Sequence, residues 1–222
     1  MVLEILSISL SRNKRLIFED FNLKLKKSQI MILIGDNGTG KTSLLDLVAG
    51  VIKPESGSIK INNLFLSQVG SNKRKFFTYL PHKDSLKDNL TIEENIMNWT
   101  NISGNKFEDQ NFCKLLKYFN LLEIKDVLVS NLSQGQRKKV SLTKLLFSTN
   151  SLWLLDEPFN GLDKTSIRKT IRLIISHCKN GGSILLANHI NLRIKNAKKI
   201  FLNRLKKISK KEKLDFDSWE KI

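Results

Sequence analysis

A short segment beginning at Ile30 constrains the fold more than any other part of the chain. Residues 30–34 read Ile-Met-Ile-Leu-Ile, as in a strand that is buried on both faces. The next segment, 35–42, reads Gly-Asp-Asn-Gly-Thr-Gly-Lys-Thr and matches the pattern G-x-x-x-x-G-K-[ST] at every fixed position. Leucine and valine at helical spacing follow it, up to Val51. This order of strand, glycine-rich loop and helix predicts a phosphate-binding loop in an α/β domain.

The glycine-rich loop predicts how a nucleotide is bound. Glycine lets the backbone wrap closely around a phosphate, and the helix that starts here directs the positive end of its dipole at the same anion. We expect Lys41 to reach the β- and γ-phosphates of ATP, and Thr42 to give its hydroxyl to Mg²⁺. The residues predicted to bind the nucleotide in this segment are Gly35, Asp36, Asn37, Gly38, Thr39, Gly40, Lys41, Thr42 and Ser43.

Two carboxylates follow a second apolar run. Residues 152–155, Leu-Trp-Leu-Leu, lead directly into Asp156 and Glu157. A carboxylate at the end of a buried strand can lie beside the metal of a nucleotide site, so Asp156 is predicted to hold Mg²⁺ together with Thr42. Glu157 is predicted to be catalytic, as the general base that polarises water for in-line attack on the γ-phosphate. A helix cap is the alternative explanation of such a pair, and Pro158 and the upstream loop argue against it.

The segment 132–136, Leu-Ser-Gln-Gly-Gln, lies between these two motifs and resembles the signature of the ABC ATPase family. Its serine and the N–H groups around its glycine are predicted to form another phosphate-binding helix start. The resemblance implies that Ser133, Gly135 and Gln136 bind the ATP of a second copy of the chain, in a head-to-tail homodimer that sandwiches each nucleotide. It also implies an ATP hydrolase whose cofactors are ATP and Mg²⁺.

Two further elements extend this resemblance over about residues 3–203. Residues 160–163, Asn-Gly-Leu-Asp, lie just after Glu157 and look like the D-loop of the family, which implies a nucleotide contact for Asp163. His189 follows a predicted strand and looks like the switch histidine that contacts the γ-phosphate. The resemblance therefore implies a catalytic role for His189.

The chain departs from the family pattern at two places. ABC ATPases usually carry glutamine at the strand end that leads into the helical subdomain, and this chain has His82 there. A histidine ring can bond the attacking water or a metal-bound water with more dependence on pH than an amide, and His82 is predicted to be catalytic. The aromatic residue that usually stacks on adenine has no clear counterpart, and Arg12 lies near its place. Its guanidinium plane can stack on a base, and a solvated Arg12 with adenine bound elsewhere is the alternative.

The order of the elements predicts the domain organisation. Residues 1–82 and 151–203 are expected to form the α/β core of a P-loop NTPase of the ABC ATPase type, a mixed sheet with flanking helices. Residues 83–150 read mostly as helix, and the capping-box pattern Thr-Ile-Glu-Glu at 91–94 predicts where the first of these helices starts. They are expected to form an inserted helical subdomain. The charged stretch 204–222 is expected to be a surface helix or a loose tail.

Charge and composition bear on the partners of the chain. The sequence has 38 Lys and Arg against 21 Asp and Glu, a formal net charge of +17. Such a balance raises nucleic acid or an anionic membrane surface as a partner, and biased codon usage is the blander explanation. Cys113 and Cys178 lie too far apart to indicate a disulfide framework or a zinc site. No apolar run approaches the roughly 20 residues that cross a bilayer, and we expect no signal peptide.

Less specific positions resemble one subfamily, the ATP-binding subunits of haem exporters in cytochrome c maturation. They are Tyr-Leu-Pro-His at 79–82, the adjoining segment 85–91, and Leu-Leu-Ala-Asn-His at 185–189. The resemblance implies a peripheral protein on the cytoplasmic face of the inner (plasma) membrane, which works with separate integral membrane transporter subunits. The ATPase of another small ABC exporter is one alternative. A soluble ABC ATPase that acts on nucleic acid or ribosomes is the other, and it is disfavoured because such proteins usually carry two ATPase domains in one chain.

Overall fold

The computed structural model describes residues 1–70, 75–103, 109–189 and 194–203. The strands in these ranges are β1 (Leu3–Arg12), β2 (Arg15–Leu25), β3 (Ile30–Ile34), β4 (Ser56–Ile61), β5 (Leu64–Phe65), β6 (Phe77–Leu80), β7 (Leu152–Asp156), β8 (Ser183–Asn188) and β9 (Lys198–Phe201). The α-helices in the same ranges are α1 (Lys41–Val48), α2 (Ile92–Ser103), α3 (Asp109–Tyr118), α4 (Gln134–Thr143) and α5 (Lys164–Lys179).

The strands form two sheets. One is antiparallel and has the strand order β2-β1-β4-β5. The other is parallel and has the order β6-β7-β8-β3-β9. The predicted α/β fold, with strands of both orientations and flanking helices, is confirmed. The two orientations are divided between two sheets and are not mixed within one.

Strand β3, an inner strand of the parallel sheet, lies between two hydrophobic cores. Met31 and Leu33 point into the core shared with α1 and the antiparallel sheet. Ile30, Ile32 and Ile34 point into the second core, on the side of α2, α4 and α5. Successive side chains of a strand point to opposite faces, and both faces are covered here. This is why the strand is apolar at every position.

The parallel sheet brings the predicted functional segments to one edge. Ile34 at the end of β3 pairs with Asn188 at the end of β8, and Asp156 at the end of β7 pairs with Ala187. The three strands therefore end at nearly the same level. Ligands of open α/β sheets bind beyond the carboxyl ends of the strands. The glycine-rich loop, Glu157 and His189 all leave the sheet at this edge.

The chain between β6 and β7 is mainly helical. Helix α2 begins with a capping box, in which the Thr91 backbone N–H donates to Glu94 Oε2 at 2.8 Å and the Glu94 N–H donates to Thr91 Oγ1 at 3.1 Å. The predicted helix start is therefore confirmed. The apolar side of α2, at Ile92 and Ile96, packs into the second core. The helices are thereby attached to one face of the parallel sheet.

The observed element bounds agree closely with the sequence patterns. Strand β3 has the predicted bounds, helix α1 ends at Val48, before the last residue of its helical pattern, and β7 runs one residue further along the chain than its apolar segment, through Asp156. The expected charged tail, 204–222, lies outside the described residues. Within the described ranges, the helices are too short or too polar to cross a membrane.

Candidate functional site

The glycine-rich loop folds around the side chain of Lys41. Lys41 Nζ donates to the carbonyl oxygens of Gly35 at 2.6 Å and of Asp36 at 2.9 Å. Thr39 Oγ1 donates to the same Asp36 carbonyl at 3.0 Å. Lys41 is only 6% exposed, so little solvent screens its charge. The ammonium group is thus fixed within the loop.

Two glycines of the loop are required by close packing. Gly40 has a φ of 98°, and a Cβ there would lie 2.5 Å from Ile17 Cγ2. A Cβ on Gly35 would lie 2.5 Å from the carbonyl oxygen of Leu202. A larger residue at either position would push the loop away from β2 or from the end of β9. These glycines therefore fix where the loop lies.

The first turn of helix α1 is open to an anion. Gly40 caps this helix in the left-handed region and supplies no side-chain hydrogen bond. The first turn also carries no acidic residue. The N–H groups of Lys41, Thr42 and Ser43 therefore have no side-chain cap, and the helix dipole favours a negative charge beside them.

A cleft of about 470 Å³ opens beside this loop. Its other walls are formed by Glu157 and by residues of β1, β2 and the turn between them, namely Arg12, Asn13, Arg15 and Ile17. Arg12 donates from Nη1 to Ser43 Oγ at 3.2 Å. Sequence reasoning found only Arg12 among these four residues. The cleft wall next to the loop is thus built from guanidinium, amide and aliphatic groups.

Asp156 is a buried carboxylate whose oxygens are poorly satisfied by the described residues. The residue is fully buried, and neither carboxylate oxygen accepts a hydrogen bond of ordinary geometry within the described part of the chain. Burial raises the pKa of this carboxyl, and the neighbouring Thr42 and Lys138 oppose that effect only in part. A buried, orphaned carboxylate near a hydroxyl fits a hard divalent cation such as Mg²⁺, which takes oxygen ligands from protein, phosphate and water.

Glu157 is held by side chains from three segments. Its backbone has a φ of 45°, and its N–H donates to the Ala187 carbonyl at 2.9 Å. His82 Nδ1 lies 3.4 Å from Glu157 Oε2, and His189 Nδ1 lies 3.3 Å from Oε1. Asn160 also donates to Oε2. The Glu157 side chain is 12% exposed and still lines the cleft, so its carboxylate is fixed facing the glycine-rich loop.

The signature segment forms the start of helix α4. Ser133 Oγ accepts a hydrogen bond from the Gln136 N–H at 3.2 Å, and Gln136 Oε1 accepts one from the Ser133 N–H at 2.9 Å. A Cβ on Gly135 would lie 2.7 Å from the carbonyl oxygen of Gly161 in the D-loop. Glycine is therefore required where the two segments meet. None of these residues lines the cleft.

Asp163 makes structural contacts within the chain. It caps helix α5 by accepting hydrogen bonds from the Ser166 N–H at 2.8 Å and from Ser166 Oγ at 2.9 Å. Lys139 Nζ lies 2.7 Å from Asp163 Oδ2, and this contact lowers the pKa of the Asp163 carboxyl. Asp163 thus ties α5 to α4 and does not line the cleft.

The structure divides the predicted site residues into two groups. The glycine-rich loop, Arg12 and Glu157 share the cleft, and His82 and His189 contact Glu157. The signature residues and Asp163 lie outside it. Sequence reasoning missed the contact of Asn160 with Glu157, although their separation of three residues was available as a signal.

Comparisons with known proteins agree with this geometry. A sequence model of the ABC transporter family matches residues 18–160. The cytochrome c biogenesis ATP-binding export protein CcmA of Reclinomonas americana is 33% identical over 198 residues, which cover 88% of each chain. The solved ATP-binding subunit of an ABC transporter has a TM-score of 0.84 and 26% identity, with 92% of this chain and 87% of that chain covered.

A second solved structure shares the fold. It is a dimeric ATP-binding cassette in a post-hydrolysis state with bound ADP and Pi, with a TM-score of 0.78 and 18% identity over 91% of this chain and 94% of that chain. This structure supports only the fold, whereas the matches to the family model and to CcmA also assign the family. The chain therefore belongs to the ABC transporter family, as an ATP-binding subunit that hydrolyses ATP, and within it to the group of the cytochrome c biogenesis ATP-binding export proteins.

Proposed function

We propose that this chain binds MgATP in the cleft beside residues 35–43 and that hydrolysis there drives an export step in cytochrome c biogenesis, with haem as the candidate cargo. The observation that carries the proposal is the placement of Glu157, whose carboxylate lines the cleft between two histidines. A phosphate-binding loop that faces a fixed carboxylate is arranged for hydrolysis and not only for nucleotide binding. The name of the relative from Reclinomonas americana supports the biological setting.

The phosphate end of ATP is bound by the glycine-rich loop in this proposal. Lys41 and the uncapped N–H groups of α1 contact the β- and γ-phosphates. Thr42 and Asp156 are the residues that would hold Mg²⁺, which neutralises phosphate charge when it is bound. Among the described residues, no hydrogen bond of ordinary geometry reaches the Asp156 carboxylate, which supports this assignment. Arg12 also lines the cleft, beside Ser43, and its guanidinium can contact the base there.

Glu157 acts on the attacking water. Its carboxylate orients the water in line with the γ-phosphate and accepts its proton. His82 and His189 hold the carboxylate from two sides, and either ring can also bond the γ-phosphate or the water. His82 thereby takes the place of the amide that the family usually has. Asn160 restrains the same carboxylate from the D-loop.

A second copy of the chain completes the site. The signature residues Ser133, Gly135 and Gln136 build an anion-binding helix start that does not line the cleft of its own chain. A head-to-tail dimer lets this helix start contact the ATP of the partner, and Asp163 then lies close to the interface. The dimer is tested by mixing two inactive variants, Ser133→Arg and Lys41→Ala. One of the two composite sites in the mixed dimer has both halves intact, so partial recovery of ATPase activity is expected, and none would refute it.

The transport pathway is supplied by separate integral membrane subunits. We place this chain as a peripheral protein on the cytoplasmic face of the inner membrane, with a docking surface on the helical part near residues 82–90. Leu86 is half-buried and packs into the second core, so it serves packing. Leu128, which bridges to Thr91, is 41% exposed and is the better candidate for an apolar contact.

Membrane fractionation with and without the membrane subunits tests the setting. The wild-type protein should bind membranes at both low and high salt when the subunits are present, because apolar docking resists screening. Leu128→Ser should weaken this binding while basal ATPase activity stays intact, and Leu64→Ser, at a leucine of the α/β core that is 49% exposed, is the matched control. Salt-sensitive binding to ribosomes or DNA, with normal c-type cytochromes in a deletion strain, would refute the export function and favour a nucleic-acid partner.

A further inference from the structure

Arg137, in the first turn of helix α4, clamps the loop that follows His82. Its Nε donates to Asp84 Oδ2 at 2.9 Å and its Nη2 donates to Asp84 Oδ1 at 2.9 Å, which is a bidentate pair. Its Nη1 donates to Asp88 Oδ1 at 2.6 Å and to the Val129 carbonyl at 3.2 Å. One guanidinium therefore joins the signature helix to two points of the loop.

The same loop is fixed to the helical part at other points. Asn95 of α2 is 2% exposed, accepts from the Lys87 N–H at 2.8 Å, and donates to the Lys87 carbonyl at 3.0 Å. Lys144 donates to Ser85 Oγ at 2.8 Å, and the Val129 N–H donates to the Leu90 carbonyl at 2.9 Å. Residues 84–90 are thus a rigid extension of the helical part. Strand β6, by contrast, ends at Leu80 within the parallel sheet.

His82 lies on the short connection between these two bodies. His82 precedes the clamped Asp84 by two residues, and its ring contacts the carboxylate of Glu157. Asp84 and Arg137 are 22% and 24% exposed at their side chains, so solvent screens their pair only in part. Burial alone would raise the pKa of the Asp84 carboxyl, but Arg137 outweighs it and lowers that pKa. The carboxylate therefore stays charged and paired at neutral pH.

We propose that Arg137 is a positioning residue for ATP hydrolysis: its clamp on Asp84 and Asp88 makes the position of His82 against Glu157 depend on the position of the signature helix. The signature helix belongs to the composite site of the partner copy. The position that the signature helix takes in the partner's site therefore affects the contact between His82 and Glu157 in its own chain. This inference rests on the proposed hydrolysis at Glu157 and adds a link between the two sites of the dimer.

Conservative substitutions of the clamp test this link. Arg137→Gln removes the charge, and Asp84→Asn keeps the size of the acceptor but loses the bidentate charged pair. Each should lower kcat on the order of tenfold, which is the scale of coupling within a charged network. Nucleotide affinity of the isolated chain should stay within about twofold, since neither residue lines the cleft. Asp88→Asn should have a smaller effect, because the Asp88 side chain is 67% exposed.

Lys125→Gln is the matched control. It breaks the Lys125–Glu93 ion pair of 2.9 Å in the same helical part, away from the loop. Loss of this surface ion pair should lower the melting temperature only slightly and leave kcat as in the wild type. Rates are divided by the number of nucleotide-binding molecules, so that a loss of folded protein does not count as a loss of turnover. If Arg137→Gln loses no more turnover per binding site than Lys125→Gln, the clamp is only a structural staple and the proposal fails.

Two double variants complete the test. Arg137→Gln with Asp84→Asn should be no slower than the slower single variant, because both remove one contact. Arg137→Gln should add nothing in a His82→Ala background, because Arg137 acts through His82. If the losses of kcat of the single variants multiply in either double variant, the proposal is overturned. If Arg137→Gln fails to fold, Asp84→Asn and its His82→Ala double variant decide the question in the same way. A wild-type protein without ATPase activity would instead refute the proposed function itself.

Discussion

Replacing Asp156 with asparagine should stabilise the chain in the absence of nucleotide. The carboxylate is fully buried and its oxygens accept no hydrogen bond of ordinary geometry within the described residues. Burial raises its pKa, so the folded state disfavours the charge that the residue carries at neutral pH. Asparagine has nearly the same shape and carries no charge. The variant should therefore lose metal binding and gain stability in the apo state.

The magnitude follows from the surroundings of the carboxylate. An unsatisfied buried polar group costs about 1–3 kcal/mol, and more when it is charged. Thr42 and Lys138 offset part of this cost, which favours the lower end of the range, about 1–2 kcal/mol. For a domain of this size, 1 kcal/mol shifts the melting temperature by roughly 2–4 °C. Asp156→Asn should therefore melt about 2–8 °C higher than the wild type.

Thermal unfolding with and without MgATP is the assay. At about a hundredfold its Kd, MgATP should stabilise the wild type by about 2.7 kcal/mol and the variant by less, because one ligand of the metal is missing. The advantage of the apo variant should shrink as the pH falls, since a raised folded-state pKa means that the wild type regains stability by taking up a proton. Asp46→Asn is the control, because Asp46 accepts a hydrogen bond from Tyr79 at 2.9 Å and should yield no gain. A nucleotide-free Asp156→Asn protein that melts below the wild type would refute the reasoning.

Three further predictions concern the catalytic carboxylate, the signature helix and a half-buried histidine. Glu157→Gln should keep MgATP binding and lower ATPase turnover by about 10²–10⁴-fold, the usual contribution of a general base, and near-normal turnover would exclude that role. Gly135→Ala must move the start of α4 away from the Gly161 carbonyl, so turnover should fall about ten- to a hundredfold with monomer nucleotide affinity intact, as measured by ATPase assay and nucleotide titration. His177 stacks on Trp153 with ring centroids 3.6 Å apart, and burial lowers its pKa, so its contribution to stability is present above its unfolded pKa and is lost as the pH falls. Urea unfolding at about pH 7.5 and pH 5.5 should show a smaller loss for His177→Phe than for the wild type, and an equal loss would contradict this.

The sequence predicted the elements whose signals are local. The bounds of β3 follow from a continuous apolar run, and the start of α2 follows from a capping box within four residues. The glycine-rich loop and the Asp156–Glu157 pair were found because the functional residues of each motif are neighbours in the sequence. Such features need no knowledge of what lies opposite them in the fold.

The remaining features depend on contacts between distant segments. The pairing of Arg137 with Asp84 spans 53 positions, and nothing in either local pattern indicates the other partner. The division of the strands into two sheets depends on pairing choices that alternating or apolar patterns leave open. The lining of the cleft by Arg15 and Ile17 depends on how β2 packs against Gly40. These properties belong to the packing of the whole chain and become visible only with it.

The two adjacent carboxylates acquire different tasks through the backbone at Glu157. Asp156 is the last residue of β7 and stays in the buried pleat of the sheet, whereas Glu157 leaves the strand with a φ of 45°. Such a conformation costs about 1–3 kcal/mol for a residue with a side chain, and Pro158 adds to the cost because the residue before a proline is steered toward extended backbone. The hydrogen bond to Ala187 and the contacts with His82, His189 and Asn160 offset this strain. This backbone conformation turns the Glu157 carboxylate out of the sheet and toward the glycine-rich loop. The Asp156 carboxylate remains buried at the end of β7, where its oxygens can bind a cation.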